Sequence, residues 1–461
     1  MSVKIRKETI SMKNAFSKAF IILSAVLLLP LFAAAQSDGS QQNKTGRTGT
    51  FAITGARIVT VSGSVIENGT VVIRDGKIAA VGASAAVPSG AERINGKGLS
   101  VYPGMIDAAT SLGLSEIGQG ANGTQDVNEL GTMNANARAI LAINPHTSHV
   151  NVTRVNGITT VLSGPRGGMI AGQAAIINLN GSTQSEMAVV REFGLVVNFP
   201  RIAGFGGGGG FGFGFGQQQV DFNEAIRRRD TQLEELKKMF TEAQNYARAR
   251  EASAKDSSLP FVAIDTKLES MIPYVNGERP VLFSVERERD ITGVIKFATE
   301  MKVKAIIVGG QEAWKVADDL KKNDIPVIYT NIFSLPVRQD DPYDFMYEAP
   351  SLMQKAGVRF AIATGDNGAE NRDLPYQAGM AGAFGLSPEE ALKSVTLYPA
   401  QILGIADKLG SIEAGKMANI VVADGDILDA RTNIKYLFIN GKMLPLTSRH
   451  TELFDSFKNR K

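Results

Sequence analysis

His146 and His149 are the nearest thing to a metal-ligand pair in this chain, which has three histidines in all and no cysteine. They lie in Asn144-Pro145-His146-Thr147-Ser148-His149. An i, i+3 pair can share one helix face and hold one ion between two imidazoles. Two solvent-facing histidines are the simpler expectation. His450 follows the last strand pattern and is expected to be exposed. Nucleophilic chemistry has little to build on. No G-x-S-x-G elbow occurs, and a Ser-His-Asp triad would need parts from distant segments. The glycines of 206–210 lack the Lys-Ser/Thr ending of a phosphate-binding loop. The lack of cysteine excludes disulfides and a lipoprotein anchor.

The elements that must position any site begin after an export leader. Lys4, Arg6, Lys7, Lys13 and Lys18 precede the apolar run Phe20–Phe32, and Ala33-Ala34-Ala35 reads as a cleavage site. The expectation is a signal peptide over 1–35, cleaved near Ala35, and a periplasmic or extracellular protein. About 425 residues then remain, enough for two domains. The formal charge of +3 includes five basic leader residues and Glu8, so the mature chain is near neutral. Nothing recommends a nucleic-acid partner.

Residues 36–49 are polar and read as a flexible linker. Strand patterns around Asp75-Gly76 and Asn440-Gly441 predict a hairpin near each end of the mature chain. Neither end can bury a sheet alone, so 50–102 and 408–446 are expected to form one composite β-sandwich. Between them, 103–407 alternates strands and helices. Ala305–Val308, Ile325–Tyr329 and Phe360–Ala363 are buried-strand runs, and a helix is expected over 388–403. The fold class is α/β, with a (β/α)8 barrel. An insertion at about 204–252 joins a Gly/Phe-rich run to a charged helix, whose stripe is Phe222, Ile226, Leu233, Leu236, Phe240 and Ala247. Residues 447–461 read as a tail.

Pro103-Gly104-Met105-Ile106-Asp107 and Leu409-Gly410-Ser411-Ile412-Glu413-Ala414-Gly415-Lys416 carry a resemblance. With Thr153–Val161 and Gly167–Gln173 they make the chain similar to the amidohydrolase superfamily, most of all its imidazolonepropionase-related branch. The likeness covers about 50–446. It implies a barrel set into a composite sheet domain, a divalent metal such as zinc, and hydrolysis of carbon-nitrogen bonds other than peptide bonds.

The resemblance also says where the ligands should be. The two histidines after P-G-x-I-D fall on Ala109 and Ser111. The H-A-H strand aligns with Pro280–Asp290, which puts Ser284 and Glu286 at histidine positions. Gly309 stands for the histidine of E-H-G. Asp366, in Ala363-Thr364-Gly365-Asp366-Asn367, keeps the aspartate that acts as general base. In the family a bound ion lowers the pKa of water to about 7, and the aspartate moves its proton. Here Asp107, Glu286 and Asp366 could offer oxygen to a hard ion. Alternatively they pair with arginines such as Arg287 or Arg372. No cofactor follows with certainty. Two functions stand: a hydrolase with a depleted or rebuilt metal site, or an inactive exported barrel. The second would bind a small molecule or an active sibling subunit, as a homo-oligomer or a hetero-assembly.

Overall fold

The computed structural model describes residues 44–117, 121–202, 221–335 and 341–460. The leader 1–35, most of the linker and the Gly/Phe-rich run lie outside the described residues.

Among the described residues, sixteen strands form two sheets. The first five are β1 (Phe51–Ile58), β2 (Ile66–Arg74), β3 (Lys77–Gly82), β4 (Glu92–Asn95) and β5 (Ser100–Pro103). The barrel follows: β6 (Met105–Thr110), β7 (Ile158–Ser163), β8 (Ile170–Asn178), β9 (Ala188–Asn198), β10 (Val281–Val285), β11 (Ala305–Gly309), β12 (Val327–Thr330) and β13 (Phe360–Ala363). The chain ends with β14 (Ile420–Ala423), β15 (Ile434–Ile439) and β16 (Lys442–Leu444).

The two chain ends share one eight-stranded sheet, ordered β16-β15-β14-β5-β1-β2-β3 with β4 on β1. The join is β14 against β5, antiparallel from Ile420↔Pro103 to Ala423↔Ser100. Both hairpin turns have the left-handed pairs that such turns need: Asp75 and Gly76 at φ 52° and 77°, Asn440 and Gly441 at 50° and 70°. The turns also pack on each other, since a Cβ on Gly441 would lie 2.5 Å from the Gly76 Cα. Part of the flexible-linker expectation fails. Arg47 pairs with Met443 through two 3.0 Å backbone bonds, and its guanidinium clasps Glu92. An open sheet edge at β16 offers the backbone partners that a polar segment otherwise finds in water.

The barrel sheet runs β13-β12-β11-β10-β9-β8-β7-β6. It closes through Gly365 N to Ala109 O at 3.1 Å rather than through a ladder. This is the expected α/β barrel with one strand reversed: β8 is antiparallel to both β7 and β9. Residues 164–169 alone connect β7 to β8, too short for a parallel crossover. The tight connection leaves a hairpin loop at the mouth where a helix would normally follow.

The inserted helix Phe222–Lys255 packs through Leu236, Phe240, Ala243 and Ala247. The Phe240 ring meets Phe297 edge to face at 5.2 Å, and Phe297 in turn meets Phe283 and Phe199. Each such pair adds about 1 kcal/mol beyond area burial. Phe222, at the helix start, is exposed rather than part of the stripe. The helix expected over 388–403 is two, Pro388–Ser394 and Leu397–Ile402. Between them the Val395 carbonyl is diverted to the Ile106 amide at 2.8 Å. The tail holds a further helix, Arg449–Phe457, closed by a capping box between Ser448 and Thr451.

Candidate functional site at the barrel mouth

Sequence positions far apart meet at the C-terminal ends of the barrel strands. There, Ala109, Thr110, Arg166, Asn198, Ser284 and Asp366 are among the residues lining a cavity of about 130 Å³. Larger recesses exist, including one of about 680 Å³ along Arg279, Lys304 and Arg359. That recess lies at the N-terminal ends of β10 to β13, the end of such barrels that serves stability rather than chemistry.

Asp107 sits beneath the mouth, completely buried in β6. Its Oδ1 accepts from Thr364 N at 3.1 Å and Ala109 N at 3.4 Å, and its Oδ2 accepts from the Thr364 hydroxyl at 2.5 Å. Asn371 Nδ2 donates to that hydroxyl at 2.7 Å, holding the threonine rotamer. Burial pushes the Asp107 carboxyl up to about 7 against these three bonds.

Asp366 follows β13 and faces the cavity. Arg166 Nε lies 3.3 Å from its Oδ1, and Arg166 Nη2 donates to the Ser111 hydroxyl. Ser111 Oγ in turn reaches the Asp366 carbonyl at 3.3 Å. Desolvation raises the Asp366 pKa, and the guanidinium pulls it back. The carboxylate is nonetheless 61% exposed, so solvent screens this pair and it contributes little to stability.

Glu286 follows β10 and is half-buried. It does not line the cavity with Asp366 and Ser284. Instead it lies against Gly309, where a built Cβ would be 2.5 Å from its Oε1. Gly309 has φ 105°, a conformation that resists other side chains. The carboxylate thus fills the room beside the position where the resemblance implies a histidine. Gln311 N donates to Oε2 at 3.4 Å. Burial pushes the Glu286 carboxyl up to about 8, and the charge of Asp366 adds to the rise.

All seven expected positions therefore meet at one end of the barrel. Of the arginines proposed from sequence, Arg372 lies by Asp373 at 3.5 Å and His450 at 2.9 Å; the partner of Asp366 is Arg166. His149 is not a solvent-facing residue. It is half-buried, with Nε2 3.0 Å from the Glu116 carbonyl, and it packs by Gly368, two residues past Asp366. His146 and His450 are exposed. Among the described residues, no three His, Cys, Asp or Glu side chains converge as metal ligands would.

Sequence reasoning missed Arg166, Asn198, Thr364 and Asn371. Arg166 directly precedes the Gly167–Gln173 stretch that carries part of the resemblance. Its signal was the short β7–β8 connection, which must double back at the mouth.

Comparisons agree with this frame. The model of the amidohydrolase family matches residues 286–444. Imidazolonepropionase of Erwinia tasmaniensis is 58% identical over 38 residues, 8% of this chain and 9% of that enzyme. Imidazolonepropionase of Legionella pneumophila is 33% identical over 107 residues, 22% of this chain and 25% of the enzyme. The matches thus span a tenth to a quarter of these curated relatives. A crystal structure of an amidohydrolase from Thermotoga maritima superposes with a TM-score of 0.75 at 25% identity, covering 87% of this chain and all of that one.

Proposed function

Because this chain belongs to the amidohydrolase superfamily, on its imidazolonepropionase-related branch, we propose that its barrel mouth binds a small amide-type molecule through side chains, without the family's zinc. The observation that carries this reading is that the acidic groups at the mouth are already engaged. Asp107 accepts three hydrogen bonds, Asp366 faces a guanidinium, and Glu286 is wedged against Gly309. The Arg166 cation stands where a divalent ion near Asp366 would meet repulsion. Ala109, Ser111, Ser284 and Gly309 bring no imidazole or thiolate. The donor set does not fit a zinc centre.

What remains is recognition. Arg166 offers N–H groups to a carbonyl oxygen, and Asp366 offers acceptors to an N–H. We place this activity outside the cytoplasm, on the strength of the leader over 1–35. The barrel acts there as a small-molecule binder, alone or beside an active sibling subunit. Hydrolysis of a carbon-nitrogen bond is the second reading. It is favoured by Asp366 on the cavity wall, whose pKa is shifted upward.

The test uses protein purified without chelator. Metal content is measured, and cyclic imides, lactams and N-acyl amino acids are offered to wild type and Asp366→Asn. The expected result is saturable binding, no turnover and far less than one zinc per chain. Stoichiometric zinc, or turnover that Asp366→Asn abolishes, would replace this reading with the second.

A further inference from the structure

Asn198 ends β9 on the cavity wall. Its Nδ2 donates to the Arg166 carbonyl at 2.6 Å and to the Gly168 carbonyl at 2.7 Å. A side-chain amide nitrogen has two protons, so both are used on the 164–169 hairpin loop. A flipped amide would set Oδ1 against two carbonyl oxygens and leave both without a donor. The orientation is therefore fixed by the network. Oδ1 is left as an acceptor with no partner among the described residues. On the same cavity wall, Arg166 has five N–H groups, of which one meets Ser111 and one faces Asp366.

We propose that Asn198 is a specificity-determining residue: its locked Oδ1, on the cavity wall it shares with the donors of Arg166, selects ligands that carry an N–H beside a C=O and rejects esters of the same shape. The inference rests on the reading that the mouth binds a small amide without metal. The other polar groups cannot make this selection. The Ser284 hydroxyl rotates and can donate or accept. Asp366 is open to water, so a missing N–H leaves it hydrated. Asn198 cannot turn, and a ring oxygen placed against Oδ1 leaves two acceptors facing each other. The cavity holds about four waters' share of liquid volume, enough for one small ring or one amide group.

The experiment compares 2-pyrrolidinone with γ-butyrolactone, rings that differ by N–H against O, using ligand-observed NMR competition. Wild type should prefer the lactam by about ten-fold, the range for one acceptor left facing another acceptor. Asn198→Leu should bind both rings alike. A merely structural role would weaken both rings together and leave the ratio unchanged, which overturns the proposal. Equal binding by wild type, or binding of neither ring, overturns it as well. If Asn198→Leu does not fold, Asn198→Ala serves: it removes the acceptor without adding bulk and must bind both rings alike, and a kept preference counts against the proposal. Turnover of the lactam by wild type would defeat the metal-free reading while leaving the binding ratio to judge Asn198.

Discussion

The two halves of the barrel have traded roles. From β9 to β13 every neighbour is parallel, and the family model matches residues 286–444. Yet this regular half holds Ser284 and Gly309, where the resemblance implies ligands. From β7 to β9 the sheet is an antiparallel meander. This irregular half supplies Arg166 and Asn198, the new polar groups of the mouth. A frame can be kept by its packing while its mouth changes, because strand cores and mouth loops answer to different forces. The strand cores bury apolar side chains between sheet and helices. The loops beyond the strands are free to change.

The largest expected effect tests the emptied side. Gly309→Ala places a Cβ within 2.5 Å of the Glu286 carboxylate at φ 105°. Backbone strain and the clash together should cost about 3 kcal/mol in urea unfolding. Removing the carboxylate with Glu286→Ala should return the steric part and leave only the strain. Equal costs in the two backgrounds would mean that Glu286 does not hold that space, and the idea of a substituted ligand position would fail.

Asp107 sharpens the comparison from below the mouth, where a side chain of the family's signature strand is kept. Its folded pKa is about 7 against an ordinary 3.8. The folded state therefore binds the proton more tightly than the unfolded chain. The stability from this group is full below about pH 4 and is lost as pH rises through about 7. Asp107→Asn, neutral throughout, should flatten the fall in melting temperature over that window. An unchanged slope would show that burial does not govern this carboxyl. Glu286 shifts the same way, but it is half-buried and its share is smaller.

What the sequence made legible follows the same divide. The DG and NG turns, the Pro103–Asp107 run and the Leu409–Val422 signature are local patterns with one structural solution each. They located the composite sheet, the barrel and the ends of the strands that bear Asp107 and Asp366. The reversal of β8 was readable in principle from the length of 164–169, but apolar runs such as Ile170–Asn178 look alike in either direction. Arg166 and Asn198 had no motif. Their importance arises from two bonds across a hairpin, and no spacing along the chain encodes that. The fit of Glu286 to Gly309 is likewise a contact between strands, visible only once β10 lies beside β11.

The smallest effect is expected lower on β9, the strand that carries Asn198. Glu192 lies between two guanidiniums, with Oε1 3.2 Å from Arg138 and Oε2 3.0 Å from Arg279. Burial opposes its charge, but the hydrogen bonds from Arg279 and Arg138 win, and its pKa falls below the ordinary 4.5. Its contribution is therefore present above about pH 4.5 and is lost as pH falls through the lowered value. All three side chains are partly exposed, so solvent screening limits the gain. Glu192→Gln should cost about 1 kcal/mol or less at neutral pH, and nothing once the carboxylate is protonated. The same variant should leave the lactam-to-lactone ratio untouched, because on the proposed reading the ligand is recognised at the mouth and Glu192 lies at the base. Melting curves at neutral and acidic pH, paired with the ring competition, separate these roles. A Glu192→Gln protein of normal stability but altered ratio would mean that β9 transmits changes along its length, and the division between base and mouth would not stand.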